Sequence, residues 1–385
     1  MIYITLLIML CLIIALFANT GRLIFKWISP VLRRLSSRVF GIIYAAVSVL
    51  IIGLLFLGMM HTDFIPGIVF KIGNYALGFY IYIVLGVNIT ALILLIGKLM
   101  HIIPKKLSDK TMCIIAAASL IIPFTASLYG SINASFIHTK NYSISLSADD
   151  ERSENLRIVL LSDIHLGHNI TDTHFEKIVN AVNKQNPDIV CIAGDIFDSN
   201  AKAVSNKSEV IAFFNSIESV YGTYACLGNH DAGDTYTLMR EILDQTDITV
   251  LEDEYITIGN RFILGGRLDS SPIGEQNQRQ PLPELENPNE LPVIVMDHQP
   301  GNINEYLSET DLILCGHTHK GQFFPVNLIT NAIYDVDYGH YQASSEAPQV
   351  IVTSGCGTWG PPQRIGSDNE IVCIDIRIPS GKDEI

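Results

Sequence analysis

The sequence predicts an N-terminal region of four transmembrane helices followed by an α/β domain. Three observations predict it. Four long apolar runs precede residue 140, the charge balance reverses near that point, and β-branched runs then alternate with helical periodicity.

With a mean hydropathy of +0.31 and 17% charged residues, the 385-residue chain is unusually apolar, and its length suits two or three domains. Residues 1–140 carry 11 Lys+Arg against 2 Asp+Glu, a net of +9, whereas the remainder carries 14 against 37, a net of −23. Two such parts face different surroundings. The acidic second part excludes the basic footprint of a nucleic-acid-binding domain. The seven cysteines, Cys11, Cys113, Cys191, Cys226, Cys315, Cys356 and Cys373, are odd in number and form no CxxC. They suggest neither a disulfide framework nor a zinc ribbon, and those in strand-like runs read as buried thiols.

The apolar runs cover residues 2–18, 40–60, 76–97 and 112–130. Each approaches the ~20 residues that a helix needs to cross a bilayer core. The first lacks a basic start and a small-x-small cleavage site, and is read as a span rather than a signal peptide. Arg22, Lys26, Arg33, Arg34 and Arg38 follow the first run; Lys98, Lys105, Lys106 and Lys110 follow the third. The loop between the second and third has only Asp63 and Lys71. The positive-inside rule makes the first and third loops cytoplasmic, so an even number of spans leaves the second part extracytoplasmic. No ionisable residue sits centrally in a run, as a proton path would need, so the helices read as an anchor. The expected organisation is a transmembrane region over 1–135, a linker or edge structure over 136–155 and a domain over 156–385.

In that domain, strand candidates cover 157–163, 188–195, 223–230, 248–258, 261–266, 292–298, 312–317, 349–355 and 370–376. Phe175, Ile178, Val179 and Val182 share one helical face before Pro187 stops the helix, and helical patterns also fit 207–220 and 235–245. Near-continuous apolar strands separated by amphipathic helices imply sheets covered by helices.

Five segments place metal-binding side chain types directly after a strand: "SDIHLGH" (Asp163, His165), "GDIFD" (Asp195, Asp198), "GNHD" (Asn229, His230, Asp231), "MDHQP" (His298) and "GHTH" (His317, His319). Strand C-terminal ends are where open α/β sheets place ligands. Oxygen and imidazole donors without thiolates suit divalent Mn, Fe or Zn rather than a structural zinc. Asp163, His165, Asp195, Asn229, His298, His317 and His319 exceed the needs of one ion with open positions and suffice for two. Glycines before Asp195, Asn229 and His317 allow sharp turns and close backbone approach.

The ordered set D-x-H, G-D-x-x-D, G-N-H-D, H, G-H-x-H resembles the calcineurin-like metallophosphoesterase superfamily over roughly residues 155–376. "GHTHKGQ" and "TSGCGTWGPPQRIG" resemble its bacterial membrane-attached branch, and the preceding helices are similar to those of its transmembrane members. The resemblance implies two packed mixed β-sheets flanked by helices and two divalent ions, manganese favoured. It implies that Asp163, His165 and His319 hold one ion, Asn229, His298 and His317 the other, and that Asp195 bridges them. His230 would protonate the leaving oxygen, and Asp198 would orient its imidazole. Ser199 and Asn200 replace the Arg-Gly that follows Asp198's counterpart in protein phosphatases, which argues against that branch.

Other residues have two readings. Asp231 suits a local hydrogen-bonding role as well as a catalytic one. His168, His174 and His340 fit no position of the set. Trp359 and Arg364 could border the pocket, or be a packed Trp and a surface Arg. The expected function is hydrolysis of a phosphomonoester or phosphodiester, lipid-linked among the options, at the membrane surface. The alternatives are a pyrophosphatase acting on a nucleotide-linked lipid and a non-catalytic metal-binding membrane sensor. Neither nucleic acid nor a protein partner is expected.

Overall fold

The structure, a computed structural model, describes residues 2–31, 34–59, 67–146, 153–274, 279–306 and 310–379. Arg33, Asp63 and the 147–152 part of the expected linker lie outside the described residues. The chain divides into two compact units, Met1–Ser131 and Ile132–Ile385.

The first unit holds α1 (Ile2–Ile28), α2 (Ser37–Met59), α3 (Gly67–Leu99) and all but the end of α4 (Asp109–Asn133). All four are long and apolar enough to cross a membrane. Their outward faces are apolar, as at Ile42, Val49, Ile121 and Ile122, which suits lipid. Small residues and hydrogen bonds join the helices where the hydrophobic effect cannot. Asn88 of α3 accepts from Asn19 at 2.9 Å and donates to Thr20 at 2.7 Å, both in α1. Tyr80 joins Tyr44 and Ser48 of α2 at 2.9 and 2.7 Å. Lys71, expected in a loop, falls in the first turns of α3.

The second unit contains two six-stranded sheets. The first has the order β1-β12-β2-β3-β4-β5, formed by β1 (His138–Ser145), β12 (Glu370–Pro379), β2 (Ser153–Leu161), β3 (Ile189–Ala193), β4 (Thr223–Cys226) and β5 (Ile248–Val250). The second has the order β10-β11-β9-β8-β7-β6. Its strands are β10 (Gly339–Gln342), β11 (Gln349–Val352), β9 (Leu312–Cys315), β8 (Val293–Met296), β7 (Phe262–Gly266) and β6 (Glu254–Ile258). Strands β2 to β5 run parallel, as do β7, β8, β9 and β11, while β12, β10 and β6 pair antiparallel with β2, β11 and β7.

Strand alternation sorts the apolar residues into layers. Leu156, Ile158 and Leu160 of β2 face Leu264, Ile294 and Leu314 of the second sheet in one core between the sheets. Val159 and Leu161 face the other way, onto α5 (Asp172–Asn183), α6 (Lys207–Asn215) and α7 (Tyr236–Leu243). The stripe Phe175, Ile178, Val179 and Val182 is the buried face of α5, as its spacing predicts.

Residues 138–145, read from sequence as linker or edge structure, form the edge strand β1, with Ile144 buried in the inter-sheet core. Two local features differ from the sequence reading. The run 248–258 is broken: β5 and β6 belong to different sheets, and Asp253 turns the chain between them at φ +58°. A short helix, α8 (Val326–Ile333), follows the last histidine motif.

Candidate metal centre

Strands β2, β3 and β4 are neighbours in one sheet, β8 and β9 in the other, and all five are internal. Their C-terminal ends carry the five motifs. At these ends the backbone leaves the strand abruptly: Asp163, His165, Asp195, Ser199, His317 and His319 all have φ between +51° and +70°. Left-handed conformations cost non-glycine residues of order 1–3 kcal/mol each and persist where surrounding contacts fix them. Here Asp163 and His165 donate their N–H groups to the carbonyls of Gly194 and Asp195, locking two motif loops together. The His317 N–H donates to the Asp163 carboxylate at 3.0 Å, and the His230 N–H to Asp195 Oδ1 at 2.8 Å. Two of the glycines are sterically required. A Cβ on Gly316 would strike Ser162 and Asp163, and one on Gly228 would strike Asp195.

The side chains converge. Asp163 Oδ1 lies 3.2 Å from His319 Nε2, whose partner across the cluster is His165 Nε2 at 3.1 Å. Asp195 Oδ2 lies 3.6 Å from His165 Nε2 and 3.2 Å from His298 Nε2. His317 Nδ1 meets Asn229 Oδ1 at 3.0 Å, and its ring stands edge-on to that of His298 at 5.1 Å. Asp163, His165, Asp195 and His298 are almost completely buried.

This arrangement fits divalent ions. His298 donates from Nδ1 to the Ala193 carbonyl at 2.8 Å, because a carbonyl can only accept. Its buried Nε2 faces Asp195 Oδ2 at 3.2 Å, so a proton or a cation must lie between them. Burial would lower the His298 pKa, but Asp195 and then Asp163 raise it well above the ordinary imidazole range. Burial pushes His165 down to about 3, His317 to about 4 and His319 well below its usual range, leaving neutral rings with a lone pair each. Burial also pushes Asp163 up to about 6. It acts the same way on Asp195, but His298 and then His165 more than offset it. Buried carboxylates beside the uncharged imidazoles of His165, His317 and His319 are a donor set that Mn, Fe and Zn take.

The remaining motif residues surround this cluster. Asp198 Oδ1 lies 3.8 Å from His165 Nδ1, and Asp198, His165 and His230 bring ligand-type atoms within 4.8 Å of one another. Burial, aided by the Asp195 charge, pushes Asp198 up to about 7. The His230 ring pairs with Ser199, Nδ1 to Oγ at 2.6 Å. Asp231 accepts from the N–H groups of Ile196, Phe197 and Gly228 at 2.8–3.0 Å, the local role open to it from sequence. His340 lies on β10 and pairs with Gln349 at 2.9 Å; His174 is in α5. All seven cysteines are free, and five are buried.

Trp359 and Arg364 both border the candidate centre, as a packed Trp and a surface Arg would not. Trp359 is 52% exposed, with its ring 6.2 Å from that of His230. Arg364 is wholly buried: Nε donates to Asn369 Oδ1 at 2.6 Å, Nη2 to the Gly357 carbonyl at 2.6 Å and Nη1 to the His319 carbonyl at 3.1 Å. Sequence offered no signal for that role beyond the loop's place after β11.

The family description "Calcineurin-like phosphoesterase" matches residues 156–321. An uncharacterized metallophosphoesterase of Campylobacter jejuni is 32% identical over 265 residues, covering 67% of this chain and 69% of that protein. The chain belongs to the calcineurin-like phosphoesterase family. It is therefore a metal-dependent phosphoesterase, with four candidate spans before its domain. A zebrafish (Danio rerio) transmembrane protein with metallophosphoesterase domain is 30% identical, over 67% of this chain and 62% of that one. Phosphodiesterase YaeI of Escherichia coli is 28% identical, over 52% of this chain and 75% of that one.

Proposed function

We propose that the domain hydrolyses a phosphomonoester or phosphodiester at the membrane surface with two divalent ions, Asp163, His165 and His319 holding one and Asn229, His298 and His317 the other. The observation that carries this reading is the position of Asp195 Oδ2, within 3.6 Å of both His165 and His298, where one carboxylate can serve both ligand sets. The ions would supply phosphate charge neutralisation and acidify a water nucleophile. The chain's own residues do the rest. Asp195 and Asp163 orient the imidazoles, His230 supplies the proton to the departing oxygen, and Ser199 and Asp198 set the orientation and charge around that ring.

The basic first and third loops support an extracytoplasmic domain, and the anchoring helices support a lipid-linked ester among the substrates. The second reading, pyrophosphate cleavage in a nucleotide-linked lipid, requires cytoplasmic access, so a topology reporter fused at the C-terminus separates the two. The hydrolytic reading is tested by assaying the purified full chain with Mn, Fe or Zn against monoesters, diesters, pyrophosphates and phospholipids. Turnover of an ester supports it. Metal bound without turnover of any of them favours a sensor.

A further inference from the structure

Helix α8 follows the last two histidines of the metal centre and buries none of its residues. Leu328, Ile329 and Ile333 are 60, 56 and 68% exposed. With exposed Ala332 they fall at i, i+1, i+4 and i+5, a single helix face. From Gly321 to Tyr334 the chain carries no charged residue, in a domain that is otherwise strongly acidic. Trp359 extends this surface. Its N–H donates to Gln322 Oε1 and its carbonyl accepts from Gln322 Nε2, both at 2.8 Å, just before α8 begins. The far end of α8 is tied to the site as well, since the Tyr334 ring stands 6.0 Å from that of His317. Trp359 beside His230 and Tyr334 beside His317 thus bracket the segment that carries the apolar ridge.

The place where the chain enters the domain selects what covers this ridge. Helix α4 ends at Asn133 and β1 begins at His138. The four residues between them reach at most about 14 Å when extended. Asn133 donates to the Ser367 carbonyl at 3.2 Å and to Asp368 Oδ1 at 2.8 Å, and Ser367 Oγ donates to the Gln322 carbonyl at 2.6 Å. One loop thus holds both the entry point and the root of the ridge.

We propose that the ridge of α8 and Trp359 seats on the lipid bilayer that the chain's own helices span, holding the mouth of the metal centre at headgroup level. Apolar side chains on one helix face and an indole at its edge suit the boundary between headgroups and acyl chains. The anchoring helices make the contact intramolecular, so little intrinsic affinity is needed. The substrate class that follows is a phosphoester displayed at the bilayer surface. That last step rests on the hydrolytic reading; the docking does not.

The chain has two tryptophans, Trp27 and Trp359, so the emission difference between the native chain and Trp359→Phe isolates Trp359. In phosphatidylcholine proteoliposomes this difference emission should lose most of its intensity when the acyl chains are brominated. A Leu328→Ser/Ile329→Ser/Ile333→Ser chain should recover it. Equal emission with brominated and unbrominated lipid overturns the docking, as does quenching that the serine variant leaves unchanged. Emission that is insensitive to bromine but varies with the protein-to-lipid ratio assigns the ridge to a second copy and also overturns it. Quenching needs neither metal nor turnover, so a quenched but inactive chain would count against hydrolysis alone.

Discussion

Ser199 Oγ lies 2.6 Å from His230 Nδ1, one residue beyond the aspartate that resemblance assigns to this ring. With the ring nitrogen donating, the hydroxyl accepts and Nε2 is the nitrogen that can pass a proton. General-acid help of this kind contributes typically ~10²–10⁴-fold. His230→Ala should lose about that much turnover on alkyl esters, much less on nitrophenyl esters, and keep its metal. Ser199→Ala should show the same leaving-group pattern at smaller amplitude. Steady-state assays across leaving groups of graded pKa check both; equal losses on all esters would remove His230 from the acid's role.

Arg364 fastens the loop after β11 to the backbone of His319. Its guanidinium satisfies three acceptors at 2.6–3.1 Å from within a fully buried position. Lysine has one nitrogen and no planar fork, so it cannot replace this set. Leaving a buried acceptor without its partner costs about 1–3 kcal/mol. Arg364→Met should lower thermal stability on that scale and Arg364→Lys by less, and both should weaken metal binding. Unchanged melting and metal content in Arg364→Met would show that the guanidinium holds nothing.

Gly316, just after β9, lies against Ser162 and Asp163 at the end of β2. A methyl group there meets Ser162 and the Asp163 carboxylate, so Gly316→Ala must displace a ligand. Overpacking costs typically about 1–3 kcal/mol, and here it also moves a donor. Loss of metal by elemental analysis, with a modest fall in melting temperature, is expected.

The proposed ligand set was legible because each member directly follows an apolar strand, and strand order does the gathering. The four candidate spans were legible from length and apolarity alone. What sequence did not carry was anything set by contacts between distant loops. Arg364 reads equally as a pocket-bordering or a surface residue until the loops of β9 and β11 close around it. Ser199 reads as a mere departure from another branch until its φ of +51° and its contact with His230 are seen. The run 248–258 reads as one strand because β-propensity does not register a turn at Asp253. Helix α8 escaped notice because its apolar face, within eight residues, resembles a core segment.

The central claim is a two-ion centre bridged by Asp195, and metal analysis of the purified full chain tests it most directly. Native protein should hold two divalent ions per chain, as a two-metal phosphoesterase requires, and Asp195→Asn should lose both together with activity. One ion per chain in the native protein, or an unchanged content in Asp195→Asn, would contradict it.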